Sequence, residues 1–296
     1  MKRLSNVFVG LMFATWFLAV FGALVRAHGA GLACPDWPLC FGELIPRLDF
    51  GVFFEFGHRA LAGTIGLVFL GAGIAVFRNA EARAIAGRMV VVTGVVLAVQ
   101  IVLGGLTVLQ LLASWTVTSH LLAGNTFCLL LLVVALRLRG WQVDAVPDRV
   151  RTWVALTSLA LLAQITLGGL VSSNFAGLAC TTWPTCFPGI WVPSWTGPAG
   201  LQVIHRLGAY TLTAVALGTA WSTRGTSLAR LGLLLAGLVT VQVGVGVANV
   251  LLYMPVEVTG LHSAFATAIV LTTTALAFGA FGRSSASSPV MQGALA

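Results

Sequence analysis

Charge is what this 296-residue sequence has least of: only 8% of its residues are Asp, Glu, Lys or Arg, against about 25% in a soluble domain. That scarcity excludes a soluble globular enzyme, a disordered chain and a nucleic-acid binder, all of which rely on ionised side chains at the surface. Lysine is nearly missing. Lys2 is the only one, so no lysine patch is available to hold an acidic ligand. The apolar–polar alternation of a membrane β-barrel is also absent. Hydrophobic residues are in excess, at 58% of the chain with a mean hydropathy of +0.98. The sequence therefore describes a polytopic membrane protein whose partner and solvent is the lipid bilayer. Its 34 glycines suit close packing between membrane helices.

A spanning helix needs about 20 mostly apolar residues. Eight segments qualify, at 7–25, 60–77, 89–108, 117–136, 153–172, 206–222, 231–252 and 260–281. Backbone groups in the bilayer core must pair internally, so the expected fold class is all-α, with eight transmembrane helices. Lys2, Arg3, Arg78, Arg83, Arg88, Arg137, Arg139, Arg149, Arg151, Arg224, Arg230 and Arg283 fall on one side, which is 12 of the 16 basic residues. Arg26, Arg47, Arg59 and Arg206 fall on the other. The formal net charge of +8 is thus read as topology. Both termini are expected in the cytoplasm of a bacterial plasma membrane, with the long loops 26–59 and 173–205 outside. The second of these has no charged residue, is rich in Trp and Pro, and is expected to lie on the membrane surface. "GLAC" at 31–34 is loosely like a lipoprotein cleavage site, but it recurs at 177–180 and is read as a repeat element. The small polar tail 284–296 is expected to be disordered.

The chain repeats itself. "AGLACPDWPLC" at 30–40 matches "AGLACTTWPTC" at 176–186, an offset of 146. His58-Arg59 matches His205-Arg206 at an offset of 147, and His120 and Gln100 match His262 and Gln242 at 142. Each half holds four spans, an even number, so the halves share one orientation. The expected architecture is two tandem four-helix bundles, 1–140 and 141–283, related by a pseudo-two-fold axis along the membrane normal.

Ionisable residues in a membrane are functional candidates by default. His28, whose counterpart is Asn174, stands outside the repeat and is read as a loop residue. The other four histidines recur in both halves. His58 begins the second span and His120 lies in the first turn of the fourth, and His205 and His262 repeat that placement in the sixth and eighth. Each half thus offers two imidazoles at similar depth near the outer face, on alternate helices of a bundle. Opposed imidazoles across an apolar space suit the axial positions of a haem. Four hydrogen-bonded helix-end histidines are the plainer explanation for any one of them, and a poor one for a matched set. Zinc wants three or four nearby ligands, and two histidines per half do not supply them. Arg59 and Arg206 could pair with haem propionates through two-pronged hydrogen bonds, or lie at the interface among lipid headgroups.

Cys34 and Cys40, and Cys180 and Cys186, lie in the outward loops, where a disulfide can form and persist. They read either as staples over the site beneath or as redox dithiols. Cys128, in mid-span, reads as a small buried hydrophobe. The halves differ at one carboxylate. "EFGHR" at 55–59 has Glu55 three residues before His58, whereas "QVIHR" at 202–206 has Gln202 in register. At that spacing the two side chains share a helix face, so the first half is expected to do chemistry and the second to relay electrons. The competing explanation is a helix N-terminal carboxylate favoured by the macrodipole.

With its eight spans, tandem repeat, "EFGHR", "QVIHR", His120, His262 and a Cys pair in each outer loop, the whole chain resembles the haem A synthase family. The resemblance implies an oxidoreductase of haem A biosynthesis that oxidises the C8 methyl of haem O to a formyl group, by two hydroxylations and loss of water. It implies the substrate or product haem between His58 and His120, a haem b between His205 and His262 as electron relay, and Glu55 as the catalytic carboxylate. Cys34 and Cys40 match a pair proposed to take part in redox, and Cys180 and Cys186 a pair thought more structural. Haem O synthase and oxidase assembly factors are the partners it implies, and oligomeric state is left open. Haem O carries a long isoprenoid tail, so access from the lipid is expected. Three rivals remain. A di-haem b-type cytochrome leaves Glu55 unexplained. A thiol oxidoreductase leaves the histidines unexplained. A transporter would want ionisable groups at mid-bilayer, where this chain has mostly Gln100, Gln164, Gln242, Asn125 and threonines.

Overall fold

A computed structural model describes residues 1–282. Arg283 and the tail 284–296 lie outside the described residues. The described residues form eight helices: α1 (Lys2–Ala27), α2 (Phe50–Arg78), α3 (Ala80–Leu109), α4 (Ser114–Arg139), α5 (Asp148–Ser173), α6 (Gly197–Ser222), α7 (Ala229–Leu251) and α8 (Val256–Phe281). Among the described residues there is no strand, only the isolated bridges Cys40–Glu43 and Phe187–Ile190. The protein is all-helical and multi-pass. Among the described residues, seven helices are long and apolar enough to cross a membrane, and α6 is the exception. Gln202, His205, Arg206 and its threonines lower the hydropathy of α6, yet its 26 residues make it about 39 Å long. It packs against α5 and α7, which do meet the criterion.

Large apolar side chains such as Phe17, Leu67, Leu159 and Leu233 point outward, as lipid-facing residues do. Among the described residues the buried apolar side chains form two large clusters, with a small one around each disulfide. One large cluster draws Phe8, Val76, Ala86 and Leu131 from α1–α4, and the other draws Val150, Leu212, Leu235 and Leu276 from α5–α8. In the first set α1 touches α2 and α4, and α3 touches α2 and α4; α5–α8 form the same ring. The sets meet through α1–α8, α4–α5 and α4–α8, contacts that map onto one another when the halves are exchanged. Thr267 Oγ1 donates to Asn125 Oδ1 at 3.2 Å, and Arg26 Nε donates to Ser172 Oγ at 2.9 Å. These pairs are 142 and 146 residues apart, so positions that the repeat equates touch each other.

The structure corrects the helix starts. α2 begins at Phe50, not 60, and α6 at Gly197, not 206. His58 and His205 therefore sit in the third turn of their helices, and His120 and His262 in the second. Polar residues had depressed the hydropathy of turns that local chemistry makes helical. Asp49 caps α2 by accepting from the Val52 N–H at 2.8 Å. Gly197, with φ +68°, turns the chain into α6, and Pro198 suits its first turn. The outer connections shrink to 28–49 and 174–196.

The α3–α4 and α7–α8 turns are built alike. Leu111 and Leu112 have φ of 50° and 60°, and Tyr253 and Met254 have 58° and 60°. Left-handed backbone at such residues costs about 1–3 kcal/mol each. In return the Leu112 and Met254 side chains reach Gly31 and Gly177 of the outer loops, so each loop is tied to the next turn along.

Removing the α2 cap with Asp49→Ala should destabilise the protein by about 1 kcal/mol, read as a lower unfolding midpoint in detergent. An unchanged midpoint would show that the cap does not set the start of α2.

Candidate functional site

Each of the four repeated histidines lies against a glycine on the preceding helix. A Cβ added at Gly22 would stand 3.0 Å from His58 Cε1, and at Gly104 3.1 Å from His120 Cε1. At Gly168 it would stand 3.3 Å from His205 Cε1, and at Gly246 3.2 Å from His262 Cε1. Gly22 and Gly168 are 146 apart, and Gly104 and Gly246 are 142 apart, so the seats follow the same repeat as the rings. An imidazole is bulky and polar. A missing side chain opposite it lets two helices close on the ring while keeping interior packing dense. His58 and His120 lie within electrostatic reach of one another, as do His205 and His262. The Nδ1 atoms of His58, His120 and His262 are buried without a protein partner. Gln100 Nε2 lies 3.3 Å from His120 Nε2, and its counterpart Gln242 donates to the His262 carbonyl at 3.0 Å.

Above the first pair stands the outer loop. Cys34 and Cys40 form a disulfide, as do Cys180 and Cys186. Within the first ring Asp36 accepts from the Phe41 N–H at 2.7 Å and the Gly42 N–H at 2.8 Å. Phe41 and Gly42 both have positive φ, which closes a tight turn between the paired Cys40 and Glu43. The Gly42 N–H above all, then the Phe41 N–H and the Arg59 charge, hold the Asp36 carboxyl below the usual carboxylate range. A carboxylate held down in this way stabilises the turn at neutral pH and loses that effect only on strong acidification. The Trp37 indole lies on Gly105, where a Cβ would stand 3.0 Å from the ring. Gly105 adjoins the seat of His120, and Val247 occupies its place in the second half.

Glu55 ties this loop to the site. It is 5% exposed. Its Oε2 accepts from the Cys34 N–H at 2.8 Å, and its Oε1 pairs with Arg59 Nη2 at 2.5 Å. Arg59 in turn donates to the carbonyls of Asp36 at 2.8 Å, Leu39 at 2.7 Å and Cys34 at 3.4 Å. The second half keeps the disulfide and the arginine but replaces both carboxylates. Arg206 donates to Thr185 O at 3.0 Å and Cys180 O at 3.1 Å. Thr182 replaces Asp36, and Gln202 turns its amide to the Gly177 carbonyl at 2.8 Å.

A family model described as COX15-CtaA, cytochrome oxidase assembly protein, matches residues 5–274. The chain belongs to this family. A Shewanella oneidensis relative named Heme A synthase is 30% identical, over 93% of this chain and 96% of its own length. Relatives of the same name from Agrobacterium fabrum and Symbiobacterium thermophilum are 28% and 29% identical, the first over 90% of this chain and 87% of its own length, the second over 75% and 74%.

In this member of the COX15-CtaA family the structure gathers Glu55, Arg59, Cys34 and Cys40 into one network beside His58. His205 and His262, with Arg206 and the second disulfide, form the parallel set. His28 stands apart, exposed among Phe50 and Phe54, and Cys128 is a buried free thiol. Sequence reasoning missed the four glycine seats, although their shared offsets are legible once the histidines are aligned. It also missed that both arginines grip loop carbonyls.

Arg59→Ala removes a charged donor from three carbonyls, a loss of at least about 1.5 kcal/mol, or roughly tenfold. The Cys34–Cys40 bond should then be reduced about tenfold faster, with Cys180–Cys186 unchanged, as read by mass after alkylation. Equal rates for the wild type and the variant would mean that Arg59 does not hold the loop.

Proposed function

We propose that this chain is a haem A synthase: a membrane oxidoreductase that converts the C8 methyl of haem O to a formyl group by two hydroxylations and loss of water. Relatives carrying that name align over most of its length. The observation that carries the reading here is the buried Glu55 carboxylate, one turn from His58, with a neutral Gln202 in the matching place. An electron relay alone has no use for that difference.

The residues present fit a haem in each half. Two imidazoles per bundle would serve to hold a haem iron and are too few for a tetrahedral zinc. Buried ring nitrogens at His58, His120 and His262 have no protein partner, and glycines seat all four rings. His58 and His120 would flank the substrate haem. His205 and His262 would hold a haem b, which supplies one-electron transfer when bound. Arg59, whose Nη hydrogens go to loop carbonyls and Glu55, would meet a haem carboxylate through its Nε–H, and Arg206 through the N–H groups that its loop carbonyls leave over. Glu55, fixed by the Cys34 N–H and Arg59, would accept a proton or stabilise positive charge developing at the reacting methyl. The tandem halves divide as 1–140 for chemistry and 141–283 for relay. Both termini face the cytoplasm of the bacterial cell membrane, which sets the haem sites near the outer face. Haem O synthase and oxidase assembly factors are the expected partners for delivery and collection.

Glu55→Gln keeps the shape and removes the base. The purified variant should retain its haem content, while haem A yield falls at least about 100-fold, measured by extraction and mass analysis of the pigment. Normal haem A from Glu55→Gln would overturn the catalytic assignment.

A further inference from the structure

The halves carry matching histidines but do not hold the first of each pair alike. On α6, His205 Nδ1 lies 3.2 Å from Gln164 Nε2 of α5, and the same Nε2 donates to the His205 carbonyl at 3.1 Å. On α2, His58 Nδ1 is buried with no protein partner. Two positions account for the difference. Gln164 stands 146 residues after Leu18, and Gly208 stands 147 after Leu61. The second half therefore has an amide and a glycine where the first has two leucines. The amide needs that glycine, because a Cβ at position 208 would stand 2.2 Å from Gln164 Oε1. Leu18 and Leu61 instead pack against the apolar core of the first bundle, and neither can hydrogen-bond an imidazole.

A hydrogen bond at one ring nitrogen fixes the tautomer and rotation of an imidazole and leaves the other nitrogen for a metal. Gln164 can serve either tautomer. With Nδ1 unprotonated the amide Nε2 donates to it, as in this structure; when the other ring nitrogen binds iron the proton sits on Nδ1, and Gln164 would turn its otherwise unpartnered Oε1 to that proton and give up the His205 carbonyl. We infer that Gln164, seated by Gly208, positions His205 as a ligand of the second-half haem, a support that Leu18 and Leu61 cannot give His58 in the first half. This rests on the reading of the histidines as haem ligands. Gln164 is a positioning residue, acting on the iron only through His205.

The test uses the full chain in detergent, with Gln164→Leu and, separately, Gly208→Ala. The second variant displaces the amide and adds about 1 kcal/mol of helix propensity, so it guards against simple misfolding. Haem b and haem O or A are told apart by their pyridine haemochrome spectra. Both variants should lose haem b to an apomyoglobin scavenger roughly 10-fold faster than the wild type or more, and the midpoint potential of the haem b should rise, because its imidazole loses the partner that makes it a stronger donor. The reciprocal double variant, Leu18→Gln with Leu61→Gly, should slow the release of the first-half haem. Haem b loss and potential unchanged in both single variants would overturn the inference while leaving the ligand reading in place. A wild-type protein with no low-spin bis-imidazole haem would overturn the ligand reading and the inference together.

Discussion

An imidazole inside a membrane-spanning bundle has to be met by a neighbouring helix that gives up its own side chain, and the rest of this structure follows from that. Each of α1, α3, α5 and α7 presents a glycine to the histidine of the next helix, and a Cβ there would stand 3.0–3.3 Å from the ring. The notch lets the helix pair close without a void, so ring position is fixed by backbone rather than by flexible contacts. Four seats at two shared offsets make the two bundles equivalent in what they can grip. Differences between the halves then stand out against a common frame.

Those differences concentrate at the outer end of the first bundle. Glu55 is held from two sides, by the Cys34 amide and by Arg59, and Arg59 also grips three carbonyls of the disulfide-closed loop. Loop, disulfide and carboxylate are thus one mechanical unit, with the Trp37 ring resting on Gly105 beside the His120 seat. The second bundle keeps the disulfide and the arginine but has Thr182, Gln202 and Val247 in these places. Its amide turns to a carbonyl rather than presenting a charge. On the proposed function, one bundle acts on what it holds and the other keeps it.

Much of this was legible in the sequence because the repeat samples it twice. The four histidines, both cysteine pairs and the Glu55–Gln202 difference are visible as landmarks that keep nearly one offset. Helix starts were not, because Glu55, His58 and Arg59 lower the hydropathy of turns that Asp49 nonetheless caps. The glycine seats were hidden for another reason: among 34 glycines, those that face an imidazole are known only once helix faces are paired. The roles of Arg59 and Arg206 depend on loop carbonyls, and backbone atoms have no signature in a sequence. Gln164 looked like one mid-span polar residue among several until its reach to His205 was seen.

The central claim is that each half grips its own haem through its own pair of histidines. Electron paramagnetic resonance and pyridine haemochrome analysis of the purified chain and of its single His→Ala variants test it most directly. The account predicts low-spin bis-imidazole haem in the wild type. His205→Ala and His262→Ala should lose only haem b, and His58→Ala and His120→Ala only haem O or haem A. The same pigment lost from all four variants, or from none, would contradict it.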